Sequence, residues 1–378
     1  MDNLQGSFIE HFSIIKDPRL ERKKLHNLLD ILVITLCAVI CGADSWEDIE
    51  DFCVAKFDWF KTFLELPNGI PSHDTLGRVF ALLDPDQFEK CFIDWMSSCV
   101  ELSAGTIVPI DGKRLRSSSG RHSPNKKAIH LVSAFSAENG LVLGQRKIDD
   151  KSNEITAIPK LLETLYLKGC IVTIDAMGCQ KEIAEKIISQ DADYVLSLKG
   201  NQGTLHDDVK LYLDSIMDKQ LKNVPHQTFE TVEKGHGRVE ERNYLITESI
   251  DWLPNKELWK NLKSIGVVES KRHVGKETSI ERRYFIASIS ADTKIFSKAV
   301  REHLSIENNL HWALDVSFAD DKAKTYAGNS AENLGIVRRI AYNLVKQDDK
   351  KANIKRKRLV AGWDNDYLMH LLTKMIIF

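Results

Sequence analysis

The sequence predicts an α+β or α/β protein in which a helical N-terminal region precedes a mixed β-sheet. Three observations support this fold class. Residues 1–100 carry apolar side chains at helical spacing, residues after about 105 alternate short apolar strands with helices, and residues 203–290 return to strand patterns. The chain has 378 residues, 43% hydrophobic and 28% charged, so it can bury a sizeable core and does not have a disordered composition.

The N-terminal helices are predicted from apolar periodicity and from capping residues. The apolar run Ile31–Ala43 is shorter than the about 20 residues that span a bilayer, so we expect a buried helix there. Ser45 is expected to cap the next helix, with Asp48 completing an imperfect capping box. After a turn rich in proline and glycine, Ser72 or Asp74 is expected to cap a third helix, and DPDQFEKCFIDWMSSCVEL is typical of a fourth.

The central part of the chain has the pattern of a sheet with helices on its faces. The stretches TIVPIDGKRLR, AIHLVSAFSA and LVLGQRKI are typical of strands, and the helical pattern EITAIPKLLETLYL follows them. Two further apolar strands, CIVTIDA and DADYVLSLKG, flank the helix CQKEIAEKIISQ. Three successive strands followed by alternating helices and strands predict a mixed sheet.

A strand-rich insertion is predicted at residues 203–290. Within it, TFETVEKGHGRVEERNYLIT places His236, Arg238, Glu240 and Arg242 on one strand face at a period of two. Such a face can bind DNA or form an exposed ladder of ion pairs, and both interpretations stay open. Beyond the insertion, KIFSKAVREHLSIENNLHWALDVSF has a long helical pattern. A basic run at residues 350–358 is either solvated or in contact with nucleic acid.

Net charge indicates how a nucleic-acid partner could be bound, and cysteine content indicates the cellular compartment. The net charge is −2, so any nucleic-acid partner must be held by local basic patches. The seven cysteines form no C-x-x-C pair and most lie in apolar runs, which indicates reduced thiols in a cytoplasmic protein. The N-terminus lacks the basic and apolar segments of a secretory signal, and no membrane partner is expected.

Two aspartates stand at the ends of predicted strands, and a glutamate stands on the late helix. Asp111 closes TIVPID and Asp175 closes CIVTID; strand ends often carry sites, although an aspartate there can also simply form a turn. Helical spacing places Glu307 on a mostly apolar face with Leu310 and Leu314. A carboxylate buried on such a face is costly unless it is paired or bound to a metal.

Three converging carboxylates would repel one another unless divalent cations lay between them. Oxygen ligands suit Mg²⁺ or Mn²⁺, and two such ions about 4 Å apart can activate a nucleophile and stabilise the leaving oxygen of a phosphodiester. Asp111, Asp175 and Glu307 are therefore a candidate catalytic and metal-binding set. A competing set, Glu307, His311 and Asp315, would hold a single zinc or iron ion, but H-E-x-x-H is absent. Otherwise we expect His311 to pack beside the site and support it.

Several basic and polar residues flank these acids. Lys113, Arg114 and Arg116 follow Asp111, either as phosphate contacts or as a solvated strand end. Lys199 and Asn201, in LKGNQ, close the predicted strand DADYVLSLKG, either as DNA contacts or as part of a polar turn. The full set of candidate DNA-binding residues is Lys113, Arg114, Arg116, Lys199, Asn201, His236, Arg238 and Arg242.

An Asp, an Asp and a Glu on a strand, a strand and a late helix resemble the DDE transposases, and the chain is most similar to the insertion-sequence transposases called H-repeat-associated proteins. The matching stretches run in order along nearly the whole chain: GIPSHDTLGRVF, IDGKRLR, KSNEI, TIDAMGCQ, LKGNQ, KGHGRVEER, IENNLHWALDVSF, AENLGIVRRIAYNLVK and KRKRLVAGW. The departures are Leu304 where the family often has Trp, Asp320-Asp321 where it often has Glu-Asp, and Leu314 at the lysine position of a neighbouring group's signature. None of them touches the three acids.

The resemblance implies a ribonuclease H-like catalytic domain with a β-rich insertion, and it assigns metal binding and catalysis to Asp111, Asp175 and Glu307. It implies two Mg²⁺ (or Mn²⁺) ions, a metal-activated water that attacks a phosphodiester at the element end, and in-line attack of the freed 3′-hydroxyl on target DNA. The implied partners are element-end and target DNA, together with a second copy of the chain in a dimer on DNA.

The chain is therefore predicted to have three parts. These are a helical domain at 1–100 that binds DNA or dimerises, a catalytic domain at 101–345 that contains the insertion, and a basic C-terminal tail with a short helix at 346–378. The predicted function is that of a DNA transposase. Two alternatives stay open: a catalytically inactive or repurposed DNA-binding protein, and a Mg²⁺-dependent nuclease without strand transfer.

Overall fold

The N-terminal region is helical, as expected. The computed structural model of the chain describes residues 8–115, 128–149, 153–221, 223–235, 237–275, 277–322 and 327–374. The first helices are α1 (Leu28–Cys41), α2 (Trp46–Ala55), α3 (His73–Leu82) and α4 (Pro85–Cys99), with single turns at Glu10–Phe12 and Phe57–Phe60. Two predicted caps are present, because Ser45 and Asp48 form a complete capping box and the Ser72 side chain accepts from the N–H of Thr75.

A nine-stranded mixed sheet forms the centre of the protein. Its strands are β1 (Ile107–Leu115), β2 (Ile129–Ser136), β3 (Leu141–Lys147), β4 (Ile171–Ile174), β5 (Asp193–Leu198), β6 (Gln227–Gly235), β7 (Arg238–Thr247), β8 (Ser264–Val274) and β9 (Glu277–Ala287). They lie in the order β3-β2-β1-β4-β5-β9-β8-β7-β6. The pairs β1–β4 and β4–β5 are parallel, and the remaining neighbours are antiparallel. The predicted fold class is thus confirmed, and the insertion extends the sheet beyond β5 through β9.

Helices cover both faces of this sheet. The later helices are α5 (Glu154–Thr164), α6 (Lys181–Ile188), α7 (Thr204–Met217), α8 (Thr293–Ser305), α9 (Trp312–Ser317), α10 (Ser330–Gln347), α11 (Ile354–Trp363) and α12 (Asn365–Lys374), with a π-helical segment at Ile306–His311 that joins α8 to α9. Ile158 of α5 packs with Val172 of β4 in one buried cluster. Phe296 of α8 packs with Ile107 of β1 in another. Since alternate residues of a strand point to opposite faces, the two clusters mark the two sides of the sheet.

The N-terminal and C-terminal helices share a third core. Leu36 of α1 and Tyr342 of α10 belong to one buried cluster, which also contains Leu310 of the π-helical segment and Leu314 of α9. The helices at the start of the chain therefore support the late helix on which Glu307 lies, in addition to any role in binding DNA or in dimerisation.

The insertion differs from its predicted pattern in two ways. It opens with α7, whose buried side chains Val209, Leu213 and Ile216 recur at helical spacing. The stretch expected to be one strand is a hairpin, because Gly237 has a φ of +73° and separates β6 from β7. Arg238 and Arg242 both lie on β7, after this turn, whereas His236 lies outside the described residues.

Arg242 is already neutralised inside the insertion. Its guanidinium lies 3.1 Å from Glu233 on β6 and 2.7 Å from Glu240 on its own strand, and its side chain is only 10% exposed. Of the two interpretations of this face, the ladder of ion pairs describes Arg242 better than a direct DNA contact does.

The basic run near the C-terminus is not a free tail. Residues 354–374 form α11 and α12. Lys357 and Arg358 are buried, and the Arg358 guanidinium donates to the carbonyls of Ile40 and Val39 and lies 4.0 Å from the ring centre of Phe318. These two cations therefore hold the helical core together instead of facing nucleic acid, whereas Lys355 and Arg356 are exposed.

The seven cysteines all lie among the described residues, and none of them forms a disulfide. Among the described residues, no single helix is long and apolar enough to cross a membrane; α1 and α2 meet that criterion only as a pair, and the pair is bent by 97°.

Candidate active site

Two carboxylates lie side by side because the strands that carry them are neighbours. Ile110 of β1 pairs with Ile174 of β4 in parallel register, so the next residues, Asp111 and Asp175, stand at the same level of the sheet. Neighbouring strands are about 4.8 Å apart. Both aspartates are partly buried. Asp175 directly follows β4, whereas Asp111 lies within β1 and not at its end, just past the residues that pair with β4. The parallel pairing thus brings two of the three predicted site residues together.

The turn that carries Asp175 is fixed by hydrogen bonds. The Asp175 side chain accepts from the backbone N–H groups of Met177 at 3.0 Å and Gly178 at 3.3 Å. Asn201, which follows β5, donates from its side chain to the carbonyl of Ala176 at 2.8 Å. Asn201, predicted to contact DNA, therefore uses its amide to position the Asp175 turn.

Glu307 lies on a π-helical segment and not on a regular α-helix. The N–H of Trp312 bonds to the Glu307 carbonyl, five residues back. Because five residues close this turn where an α-helix needs four, the faces shift: Ile306 and Leu310 are buried, whereas Glu307 is exposed. The prediction of a carboxylate buried in an apolar stripe is therefore wrong.

Glu307 nevertheless lines the same cleft as Asp175. This cleft has a volume of about 220 Å³ and lies between β4, β5, β9 and α8. Lys199 also lines it and places a cation beside the two acids. The cleft is thus the space in which the second aspartate and the glutamate approach each other.

Among the described residues, the two aspartates lack a paired lysine or arginine, and their surroundings favour the protonated carboxyl groups. Burial raises the pKa of Asp111 to about 7, and the charges of Asp175, Glu154 and Glu307 add to the rise. Burial also raises the pKa of Asp175, and the charge of Glu154 contributes. In the part of the chain that is described, neither aspartate forms an ion pair with Lys or Arg. Partly buried carboxylates in this state match the donor chemistry of a divalent-cation site.

Asp111, Asp175 and Glu307 supply the oxygen ligands that divalent cations prefer, but their side chains do not converge on one point. Within the described ranges, no three Asp, Glu, His or Cys side chains lie close enough to hold one ion. Glu307 is exposed, so its side chain can rotate towards Asp111 and Asp175 without unpacking the core. The competing single-ion set is not assembled either, since Asp315 pairs with a lysine and His311 faces Asp111.

His311 lies against the first aspartate. Its Nδ1 is 3.5 Å from Asp111 Oδ2. Burial, followed by the positive charges of Lys113 and Arg339, lowers the pKa of His311 to about 3, so the ring is neutral at physiological pH. Its neighbour in the site is Asp111 and not Glu307, and a supporting role for His311 stays a prediction.

Behind Asp111, a buried network of ion pairs joins β1 to the late helices. The Lys113 side chain is 7% exposed; its ammonium pairs with Asp315 of α9 and lies 3.6 Å from Asp320. Asp320 is fully buried and lies 3.2 Å from Arg338 and 3.9 Å from Arg339, both on α10. The Lys113 ammonium is therefore paired with carboxylates inside the protein. This pairing does not fit the phosphate contact that the sequence predicted for Lys113.

Three predicted DNA contacts remain accessible. Arg114, Lys199 and Arg238 are exposed. Arg114 follows the buried Lys113 on β1 and points to the opposite face of the strand. Arg116 and His236 lie outside the described residues, so their predicted roles stay predictions.

Two features of the site do not follow from the sequence patterns described above. One is Glu154, the first residue of α5, whose carboxylate lies 2.9 Å from His130 Nε2. A signal for it was available in KSNEI, where Asn153 caps the helix. The other is the burial of Arg338 and Arg339, which periodicity could not reveal because charged residues on a helix usually face solvent.

His303, which lines the cleft, makes the stability of the protein depend on pH. Its Nδ1 lies 3.0 Å from Thr173 Oγ1, and burial lowers the pKa of His303 from 6.5 to about 4. Between these two values the folded state binds fewer protons than the unfolded state. The stability that results from this is present above pH 6.5 and is lost as the pH falls towards 4.

Replacing His303 with Gln is expected to reduce the loss of unfolding free energy between pH 7 and pH 5 by about 2 kcal/mol. Urea unfolding at the two pH values measures this difference. The exposed His226 provides a matched control, and His226→Gln should leave the difference unchanged. Wild-type pH dependence in His303→Gln would contradict the assignment.

Comparison with known proteins decides the family. A family model described as "Transposase DDE domain" matches residues 103–344, and one described as "DDE_Tnp_1-associated" matches residues 9–96. The chain belongs to the DDE transposase family. This DDE-family chain is 44% identical over 370 residues to the "H repeat-associated putative transposase YhhI" of Escherichia coli (strain K12), covering 96% of this chain and 97% of that protein. The resemblance to the H-repeat-associated proteins is thus confirmed.

Two further similarities accompany this assignment. The "Inactive transposase YbfQ" of Escherichia coli (strain K12) is 52% identical over 71 residues, which is 19% of this DDE-family chain and 84% of that protein. A solved structure, "Cryo-EM structure of piggyBac transposase synaptic complex with hairpin DNA (SNHP)", matches with a TM-score of 0.42 and 10% identity, covering 99% of this chain and 77% of that chain. The family assignment agrees with the ribonuclease H-like fold that the sequence resemblance implied.

Proposed function

We propose that the protein is a DNA transposase that uses divalent cations to cut phosphodiester bonds and to join the resulting ends to target DNA. One observation carries the proposal: Asp111 and Asp175 directly follow the paired residues Ile110 and Ile174 of two adjacent parallel strands, and Glu307 lines the cleft beside Asp175. These three acids fall within residues 103–344, the range of the DDE domain match.

In this mechanism, Asp111, Asp175 and Glu307 would hold two Mg²⁺ or Mn²⁺ ions. When bound, the ions supply an activated water or 3′-hydroxyl and stabilise charge on the leaving oxygen. The two aspartates act from the rigid sheet, so their separation is fixed by strand pairing. Glu307 acts from an exposed turn and reaches them by rotation of its side chain. The neutral His311 ring supports Asp111 without cancelling its charge.

DNA would be held by local cations, because the net charge of the chain is −2. Lys199 lines the cleft itself, and Arg114 is exposed on β1 three residues beyond Asp111. Arg238, on the β7 strand of the insertion, provides a third exposed cation. We include Arg116 and His236 in this proposed surface on the basis of sequence alone. Two element ends and a target site are most simply held by a dimer on DNA.

A cleavage and joining assay tests the proposal. The full-length chain is incubated with duplexes that cover the DNA on either side of its gene, and with a supercoiled plasmid as target. With Mg²⁺, wild type is expected to nick the duplexes at discrete positions and to join them to the plasmid, whereas EDTA should abolish both reactions. Asp175→Asn should bind the same duplexes and cut them about 10³-fold more slowly or not at all.

The same assay separates the alternative functions. Nicking without joined products would indicate a Mg²⁺-dependent nuclease. Tight binding without nicking by wild type would indicate an inactive or repurposed DNA-binding protein. Equal cleavage by wild type and Asp175→Asn would remove Asp175 from the site and overturn the mechanism.

A further inference from the structure

A glycine beside the first aspartate makes room for another carboxylate. Glu154 begins α5, directly after its cap Asn153, and its Oε1 lies 2.9 Å from His130 Nε2 on β2. A Cβ at Gly112 would overlap Glu154 Oε1 and would lie 2.7 Å from His130 Nε2. Any side chain at position 112 would therefore displace this pair, which explains the glycine by space and not by backbone conformation.

Glu154 approaches the aspartates from the side opposite Glu307. Successive strand residues point to opposite faces, so the open position at Gly112 faces away from the Asp111 side chain. Helix α5 packs on the face that contains Val172, whereas α8 packs on the other. The Glu154 carboxylate nevertheless lies against the β1 backbone at Gly112, the residue that directly follows Asp111. The acids of the site thus come from both sides of the sheet.

A purely structural role accounts for only part of this arrangement. An acid in the first turn of a helix is favourable because of the helix dipole, and its partner His130 can hold it in place. A structural residue, however, gains nothing from repulsion by Asp111 and Asp175, and a glutamine would keep the hydrogen bond without that repulsion. The repulsion becomes an advantage only when a cation binds, because added carboxylates strengthen a site for hard divalent ions.

We propose that Glu154 is a fourth carboxylate of the divalent-cation site and that His130 is the positioning residue that holds it over Gly112. The inference rests on the proposed function, since it concerns the same ions. Its contribution is to cation affinity: Glu154 adds negative charge over Gly112, next to Asp111, and His130 fixes the direction of its carboxylate, as partners of metal-site carboxylates commonly do.

Mn²⁺ binding by the full-length protein without DNA tests this inference. Free Mn²⁺ is followed by electron paramagnetic resonance during titration. Glu154→Gln is expected to weaken Mn²⁺ binding about 10-fold, within the range found for residues that support metal ligands. Glu163 lies on the same helix with its side chain 58% exposed and provides the matched control; Glu163→Gln should bind Mn²⁺ as wild type does. Thermal unfolding of each variant confirms that the fold is retained.

The pair itself is tested by a double-mutant cycle. His130→Ala should also weaken Mn²⁺ binding, and combining it with Glu154→Gln should add little further loss, because His130 acts through Glu154. Gly112→Ala should reproduce the loss without changing any charge. Wild-type Mn²⁺ affinity in Glu154→Gln, additive losses in the cycle, or no Mn²⁺ binding by wild type would each overturn the inference.

The outcomes distinguish this inference from the proposed function. If Asp175→Asn loses cleavage while Glu154→Gln keeps wild-type Mn²⁺ affinity, only the role of Glu154 fails. If Glu154→Gln weakens Mn²⁺ binding while wild type neither cuts nor joins DNA, the fourth carboxylate stands and the proposed function fails.

Discussion

Glu307→Gln is expected to reduce Mg²⁺-dependent DNA cleavage about 10³-fold or more while leaving DNA binding unchanged. The substitution keeps the size of the side chain and removes its negative charge, and a neutral amide is a weaker ligand for Mg²⁺ than a carboxylate. Because Glu307 is exposed on its π-helical segment, the change leaves the packing of Ile306 and Leu310 intact. Cleavage rates and gel-shift affinities on the same duplexes measure the two effects.

A second exposed glutamate provides the control for charge alone. Glu281 lies on β9 with its side chain 69% exposed and does not line the cleft, so Glu281→Gln makes the same change in net charge without removing an acid from the cleft lining. It should cleave DNA at the wild-type rate. If Glu307→Gln cleaves as fast as Glu281→Gln, Glu307 is not a ligand and the third carboxylate must be sought elsewhere.

Asp320→Ala is expected to lower the free energy of unfolding by about 3–5 kcal/mol. Asp320 is the only carboxylate within 4 Å of Arg338 and Arg339 among the described ion pairs, and both arginine side chains are almost fully buried. Removing it leaves two positive charges in the protein interior with Lys113 nearby. Since domains are stable by only about 5–15 kcal/mol, the loss should be large in a urea titration.

Two further variants test whether the lost stability comes from the buried negative charge of Asp320. Asp51 is exposed on α2, and Asp51→Ala should change the free energy of unfolding by no more than about 0.5 kcal/mol. Asp320→Asn keeps one acceptor oxygen and should lose less stability than the alanine variant. A loss below about 1 kcal/mol in Asp320→Ala would show that the arginines find other partners or solvent.

The parts of the site that follow from local pattern could be predicted from the sequence. Asp111 and Asp175 each follow a short apolar stretch, and the parallel pairing of these two stretches places the aspartates together. The late helix was also predictable, as apolar residues recur along it. The wider turn that exposes Glu307 was not, because a π-helical segment has no simple signature in apolar spacing.

Contacts between residues far apart in the sequence explain why some charged residues predicted to be exposed are buried in the structure. Lys113 looks like a solvent-facing cation in IDGKRLR, but its partner Asp315 lies 202 residues further along the chain. Arg358 looks like part of a basic tail, but the carbonyls to which it donates belong to α1. Nothing near either residue in the sequence identifies these partners, so a charged residue that is buried by distant contacts is predicted to be exposed.

The helical core also sets the order in which the protein can complete its fold during synthesis. Helices α1–α4 leave the ribosome first, yet part of their apolar surface is covered by α10, and Arg358 bonds to Val39 across 319 residues. The segment that carries Glu307 packs in this same core. Contacts so distant in sequence form late. On the proposed mechanism, a nascent or truncated chain that lacks α10 and α11 does not hold the segment of Glu307 in place. The protein therefore becomes able to cut DNA only after these two helices have been made.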